Sequence, residues 1–198
     1  MAKQVGEDNN PCPSRHIGIV IVHPEQNRVL GTGYNGPPRG TPHTDSPEYL
    51  NDVVWPQLSP NDKAVLAAAD PDFAACPTID QFLTLYSNSG KCPRKLLKIV
   101  SGERMGLCSC EHGEKNSIAN ASQNIHGAWM ICWCGVPCWD CSKLIINSGI
   151  IKVVCVDDGK PDYSTYSRWL LSRGHVEIEM RDINTLDYLE TVKPVAKK

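Results

Sequence analysis

The chain has 198 residues, 41% of them hydrophobic, with 20 Lys and Arg against 22 Asp and Glu for a formal net charge of -2. That length and composition suit one globular domain with a sizeable core, and the near-neutral charge lacks the basic excess of a protein that grips long DNA or RNA. No run of about eighteen apolar residues occurs and no apolar stretch follows Met1-Ala2-Lys3-Gln4, so a soluble, intracellular protein with no membrane partner is expected, its ten cysteines reduced or metal-bound.

Residues 1–11 are polar and read as loose chain, with a helix here as the alternative. Ile17-Gly18-Ile19-Val20-Ile21-Val22 is an apolar, β-branched run with the length of a buried strand. After a turn at Pro24-Glu25-Gln26-Asn27, Arg28-Val29-Leu30-Gly31-Thr32-Gly33 reads as the returning strand of an antiparallel hairpin. Tyr34-Asn35-Gly36-Pro37-Pro38-Arg39-Gly40 then breaks regular structure, because Asn-Gly and Pro-Pro both punctuate.

Ser59 as N-cap, Pro60 at the first helical position and Asp62 three residues after the cap start a helix that Ala64 to Ala69 continue and Asp70-Pro71-Asp72 breaks. Thr78 to Tyr86 carries apolar side chains at i, i+3 and i+4 and reads as another helix. Lys91, Arg94, Lys95 and Lys98 cluster around Leu96 and Leu97, as a solvated helix face or a phosphate contact.

The chemistry concentrates between Cys110 and Cys141. His112 and Glu114 stand two apart, and Pro137-Cys138-Trp139-Asp140-Cys141 follows as Pro-Cys-x-x-Cys, a pattern found in zinc-dependent nucleobase deaminases. One imidazole nitrogen and two thiolates make a three-ligand zinc site that keeps a fourth position for water. Cys138 and Cys141 are i and i+3, so one helix presents both sulfurs to one cation, and Pro137 suits the start of that helix. Glu114, two residues from His112, is placed to move protons without binding the metal. The same residues also admit a closed structural zinc site completed by Cys108, Cys110, Cys132 or Cys134, or a redox pair at Cys138 and Cys141.

A helix is expected from His112 to about Ile125, with Ile118, Ala121 and Ile125 as its stripe. Trp129 to Cys134 reads as a strand in which Trp129 and Trp133 belong to the core. Cys141 to Ser148 continues the Cys-bearing helix until Gly149 stops it, and Ile150 to Val156 is a strong strand. A strand, helix and strand of this length imply a parallel pairing. Asp162 to Arg173 is a candidate helix, Val176 to Met180 alternates as a last edge strand, and the lysine-rich tail 193–198 reads as disordered.

Gly33-Tyr34-Asn35-Gly36-Pro37-Pro38-Arg39-Gly40 closing a hairpin, followed by His112-Gly113-Glu114 and Pro137-Cys138-Trp139-Asp140-Cys141, resembles the deoxycytidylate (dCMP) deaminase family of the zinc-dependent cytidine deaminase superfamily, in its phage-type form. The resemblance covers residues 12–40 and 108–158. It implies an α/β fold, three-layer α/β/α with a five-stranded mixed sheet, as a single domain over 1–198 in which 41–107 is insertion-like. It implies zinc-dependent hydrolysis of dCMP to dUMP and ammonia, feeding thymidylate synthesis, with Glu114 catalytic and His112, Cys138 and Cys141 holding Zn2+. Asn35 and Asn116 match substrate-side residues, with a turn and a capping role as the bland alternatives, and backbone at Gly113 and Val136 would orient the base.

The family's Arg for the 5′-phosphate is replaced here by Gln123, beside Asn124, and a neutral amide makes no charge-assisted contact. Arg39, Lys115 or the stretch near Lys95 would take its place, or the substrate is dCTP, a modified cytosine nucleotide or another nucleobase. The family's aromatic residue that closes over the substrate would be Tyr163 or Tyr166. The resemblance further implies a second, structural zinc at Cys12, His43 and Cys110, with Cys108 or Cys92 as the fourth ligand, unless these are separate free thiols. It implies a homo-oligomer, often a hexamer, control by dCTP and dTTP, and a place in the cytoplasm, of the host if a phage encodes the protein. The readings from other classes are a zinc-stabilised nucleotide-binding module without turnover and an RNA-editing deaminase.

Overall fold

A computed structural model describes residues 1–8, 12–68, 78–89, 91–100, 102–157 and 164–182. In chain order the α-helices and strands are α1 Ala2–Asp8, β1 Gly18–His23, β2 Arg28–Tyr34, α2 Pro47–Tyr49, α3 Pro60–Ala67, α4 Ile79–Ser89, α5 Pro93–Leu96, α6 Gly113–Ala119, β3 Trp129–Cys132, α7 Trp139–Asn147, β4 Lys152–Asp157, α8 Thr165–Arg173 and β5 Glu177–Asp182. They divide into two compact units, one of Met1–Asn9, Ile17–Tyr34 and His112–Lys198, the other of Asn10–His16 and Asn35–Glu111.

The first unit is a five-stranded mixed sheet in the order β2-β1-β3-β4-β5. β1 is antiparallel to β2 and to β3, whereas β3, β4 and β5 run parallel, as the hairpin and the strand-helix-strand pattern require. Ile19, Val20 and Ile21 are buried on both faces, which is why β1 reads as an unbroken apolar run. Ile19, Ile21, Met130, Val153 and Cys155 form one core with Ile145 of α7 and Leu171 of α8, and Ile118 of α6 packs against it. Side chains alternate along a strand, so Gly18, next to Ile19, faces the opposite side. There α1 lies, close enough that a Cβ on Gly6 would stand 2.7 Å from the Gly18 nitrogen. This gives the expected three layers, and it decides between the two readings of the N-terminal segment: Ala2 to Asp8 are helical rather than loose, because the small residues Ala2 and Gly6 let the turn lie flat on β1.

Two helix boundaries also differ from expectation. α6 ends at Ala119, with Asn120 as C-cap, rather than at Ile125. α7 begins at Trp139 with Cys138 as N-cap, so Pro137 lies outside the helix, and Ser148 is its C-cap with Gly149 just beyond in the left-handed region at φ 74°. Trp129 and Trp133 are half-buried rather than core, each under a lysine ammonium, Lys152 at 4.7 Å and Lys3 at 5.4 Å from the ring centroids. β5 is an edge strand, as expected.

The second unit has its own core of Tyr49, Leu50, Val54, Leu58, Leu66, Phe82, Tyr86, Leu96, Leu97 and Leu107. Ser59 caps α3 in a full capping box with Asp62, as its Ser-Pro-Asn-Asp start indicates. The antiparallel bridge between Gly36 and Glu111 joins the two ends of its longer segment. The Asp70-Pro71-Asp72 break, Asp162 at the expected start of α8, and the tail 193–198 lie outside the described residues. Among those described, no helix is long and apolar enough to cross a membrane.

Candidate metal centre

Two helix N-termini of the first unit carry the centre. His112 is the N-cap of α6 at φ -72° and ψ 145°, and Cys138 is the N-cap of α7 at φ -65° and ψ 167°. Extended backbone at an N-cap swings the side chain off the helix axis. Ser, Thr, Asp or Asn there would turn back to the helix amides, but neither side chain makes that bond. They turn to each other instead. The Nδ1 of His112 lies 3.4 Å from Sγ of Cys138 and 3.4 Å from Sγ of Cys141, and the three atoms all fall within 4.8 Å of one another. Tetrahedral zinc with ordinary bond lengths sets a nitrogen and a sulfur about 3.5 Å apart. The donor set and its spacing therefore fit zinc.

The protonation pattern is that of a thiolate at Cys138 hydrogen-bonded by the thiol of Cys141. The Cys138 thiol is pulled down to about 4, first by its hydrogen bond with Cys141, while that same bond and burial push Cys141 up.

Glu114, in the first turn of α6, is only 4% exposed, and its Oε2 has no hydrogen-bond partner among the described residues. Burial pushes its carboxyl up from the ordinary value, although its own backbone amide, His112 and the Cys141 thiol draw it the other way. A buried carboxylate oxygen left unmatched is costly, and such atoms mark sites where something else binds or reacts.

The sheet fixes α6 with little freedom. A Cβ on Gly33 would run into the Gly113 carbonyl and the Ser117 amide, and one on Gly113 would stand 3.1 Å from Ile19 Cγ1. Asn116 Nδ2 donates to the Tyr34 carbonyl at 3.0 Å, Asn120 Nδ2 to that of Thr32 at 3.4 Å, and the Ser122 amide to that of Leu30 at 3.1 Å. Alternate carbonyls along the open side of edge strand β2 are thus satisfied by α6 and its exit. On α7, the buried Ser142 donates to the Cys138 carbonyl at 2.9 Å. Sequence reading missed Asn120, Ser122 and Ser142; Asn120 repeats Asn116 one turn on, which is the available signal.

The first unit brings together His112, Gly113, Glu114, Lys115, Cys138 and Cys141. Lys115 is half-buried, and its charge acts on Asp140 and Cys141. Val136 is half-buried against the sheet core. Gln123 is exposed in the bend after α6, and Tyr166 is exposed on α8. Tyr163 lies outside the described residues. Asn35, buried, and Arg39, exposed in the turn closed by Thr41 on Pro38, belong to the second unit.

Within that second unit the Cys110 thiol meets both Cys12 and Cys108 and lies 3.0 Å from Thr44 Oγ1. The hydrogen bond from Cys110 lowers Cys12 and Cys108 to about 6 each, and Cys110 is pushed up in return. His43 is exposed, and its carbonyl accepts from the Ser46 amide at 3.0 Å.

Residues 1–157 match the family described as cytidine and deoxycytidylate deaminase zinc-binding region. The chain is 28% identical over 155 residues to a deoxycytidylate deaminase of Schizosaccharomyces pombe, covering 78% of this chain and 34% of that protein, so it spans about a third of the yeast relative's length. It is 29% identical over 163 residues to the deoxycytidylate deaminase of Enterobacteria phage T2, covering 79% of this chain and 78% of that protein. The dCMP deaminase of cyanophage S-TIM5, in its apo form, superposes with a TM-score of 0.48 at 19% identity, covering 91% of this chain and 90% of that one.

Proposed function

The chain belongs to the cytidine and deoxycytidylate deaminase family, and from that premise we propose that it hydrolyses dCMP to dUMP and ammonia, a step that feeds thymidylate synthesis. The observation that carries this reading is a His112, Cys138 and Cys141 cluster spaced for zinc next to a buried carboxylate with an unmatched oxygen.

His112 Nδ1 and the sulfurs of Cys138 and Cys141 would hold the metal. Zinc bound by three such ligands keeps an open position and lowers the pKa of a water there from about 15.7 toward roughly 7. Glu114 takes the proton of the water that adds to C4, through the oxygen that has no hydrogen-bond partner among the described residues. It passes protons to N3 and then to the departing amino group, so that water is consumed and ammonia leaves. Burial suits the task, since a carboxyl raised above its ordinary value holds a proton long enough to deliver it.

Backbone at Gly113 and Val136 orients the base, Asn35 and Asn116 meet the nucleotide, Tyr163 or Tyr166 covers it, and Lys115 or Arg39 answers the phosphate that Gln123 cannot. Lys115 is supported best, because its charge already reaches Asp140 and Cys141. Exposed, neutral Gln123 also favours a second reading, in which dCTP, a modified cytosine nucleotide or another nucleobase is the preferred substrate. Cys12, His43 and Cys110, with Cys108 or Cys92 as the fourth ligand, would hold a second, structural zinc; the contacts of the Cys110 thiol with Cys12 and Cys108 support it. A homo-oligomer, dCTP and dTTP as effectors, and a cytoplasmic location rest on the family likeness and the phage relatives.

Ammonia release measured across dCMP, dCTP, CMP and deoxycytidine tests the assignment. Turnover led by dCMP supports it, turnover led by dCTP shifts it to the second reading, and inactivity on all four with zinc retained leaves a nucleotide-binding module.

A further inference from the structure

Exposed aromatic rings gather in one place. Among the described residues Trp139, Tyr166 and Trp169 are the only exposed aromatic side chains, at 41%, 76% and 56%, and all three stand on α7 and α8. α8 turns Ser167 and Leu171 inward and Tyr166, Trp169 and Arg173 outward at i, i+3 and i+7, a single solvent-facing stripe. Tyr166 meets Trp139 edge to face, with ring centroids 6.2 Å apart and planes at 83°, so the first residue of α7 extends that stripe.

Charge is distributed unevenly along it. Beside Trp139 the Asp140 carboxylate, with its side chain 67% exposed, pairs with Lys143 at 2.5 Å. At the other end the Arg173 guanidinium stands 6.0 Å from the Trp169 ring centroid. Soluble proteins seldom leave several large aromatic side chains together in water unless another surface covers them, and aromatic anchors inside a charged rim carry most of the energy of protein contacts. Burying a whole aromatic side chain removes about 150–250 Å² from water, so at these exposures the three rings of one copy offer roughly 250–450 Å². Two such patches face to face would bury roughly 500–900 Å² on the rings alone, about half of the 1,200–2,000 Å² of a specific contact.

We propose that this α7–α8 face is where two copies of the chain meet, about a two-fold axis that sets α8 antiparallel to the α8 of the other copy. A two-fold contact needs a self-complementary surface, and an apolar stripe with a carboxylate at one end and a guanidinium at the other is one. The antiparallel sense follows from charge. A parallel crossing would set Arg173 against the partner's Arg173, whereas the antiparallel one carries it to the first turn of the opposite helix, beside the partner's Asp140. This inference rests on the homo-oligomer proposed above and names its contact, and it leaves cover of the substrate to Tyr163.

Sedimentation of the zinc-loaded protein over a micromolar concentration series tests it, with the variants Trp169→Glu, Arg173→Glu and Arg173→Glu combined with Asp140→Arg. The wild type should associate. Trp169→Glu is expected to weaken the contact by at least about thirtyfold and to split the assembly into species of no more than half its mass, with zinc content and circular dichroism unchanged. Arg173→Glu should weaken association, and adding Asp140→Arg should restore it, a rescue that a merely structural role would not produce. Trp169→Glu that associates like the wild type overturns the inference, as does a double variant no tighter than Arg173→Glu alone. If Trp169→Glu does not fold, Arg173→Glu and its rescue decide the matter. A wild type that stays monomeric brings down the homo-oligomer and this inference together, whereas an associating wild type with an unmoved Trp169→Glu brings down this inference alone. Turnover of dCMP by the same wild-type preparation reports on the proposed reaction separately from either result.

Discussion

The side-chain amide of Asn116 donates to the main-chain carbonyl of Tyr34 at 3.0 Å, joining residues 82 apart in sequence. It fastens the turn of α6 that carries Glu114 to the last residue of the edge strand β2. Asn116→Ala leaves that carbonyl without its side-chain donor and is expected to cost about 1–2 kcal/mol in urea unfolding. Asn116→Asp should be no better, because a carboxylate cannot donate. Turnover should fall in both, since Glu114 loses its fixed place. Wild-type stability in Asn116→Ala would mean that this bond does not hold α6 to the sheet.

Two glycines separate close packing from mere flexibility. A Cβ on Gly33 meets backbone of Gly113 and Ser117, which cannot swing aside, whereas nothing lies within 4 Å of a Cβ on Gly135. Gly33→Ala is expected to destabilise by about 1–3 kcal/mol or more, as overpacking does, and to disturb the metal ligands that α6 carries. Gly135→Ala, although closer in sequence to Cys138, should stay within about 0.5 kcal/mol of wild type. Thermal melts of the two variants, run with zinc content, check the contrast.

Some of this was open to reading and some was hidden, for physical reasons. Buried strands announce themselves, so the β-branched runs ending at Val22 and Val156 were legible, and so was the parallel pairing across α7. His112, Cys138 and Cys141 were legible because metal chemistry restricts residue type and spacing at once. The end of α6 was not. Ile118, Ala121 and Ile125 do face the core, but Asn120 and Ser122 turn to the β2 carbonyls, and that tertiary pairing overrides the helical period. α1 depended on the fit of Gly6 against Gly18, which no local pattern reports. The Trp139 and Tyr166 pair was equally hidden, since no spacing rule ties the start of one helix to a residue of the next.

Acid should weaken the second unit through Asp62. Its side chain, 11% exposed, accepts from Arg104 Nη1 at 2.6 Å and from the Ser59 amide and hydroxyl at 2.8 Å each. Burial alone would raise this carboxyl, but the bonds from Arg104 and Ser59 outweigh it and hold Asp62 below the usual value. A folded pKa lower than the unfolded value of about 3.9 means the stabilisation is complete above that pH and drains away as pH falls through the folded value. Asp62→Asn keeps the shape without the charge and should lose about 1–2 kcal/mol at pH 7. Urea midpoints taken at pH 7, 5 and 3 should show the gap to wild type constant between the first two and narrowing at the third. A gap of the same size at pH 3 would place its origin in shape rather than charge.

Glu114 offers the most direct separation of stability from chemistry. As a buried carboxyl with one unmatched oxygen, it pays a desolvation cost that an amide of the same size avoids. Glu114→Gln should therefore melt no lower than wild type, and higher if the orphaned oxygen costs what burial implies. Its zinc content should equal that of wild type, at one or two ions per chain according to whether Cys12, Cys108 and Cys110 hold a second, because Glu114 is not a ligand in the proposed site. Its turnover should nonetheless drop by about 10²–10⁴-fold, the usual worth of a positioned general base. Cys141→Ser should behave in the opposite sense, losing the ion of this centre and its contribution to the melting temperature together, since a ligand that binds only the folded chain stabilises it by mass action. Zinc lost from Glu114→Gln would make Glu114 a ligand, and turnover retained by it would hand the proton transfers to another group. Only the pairing of a stable, zinc-bearing, inactive Glu114→Gln with a zinc-poor Cys141→Ser keeps metal and proton shuttle as the separate parts that the geometry describes.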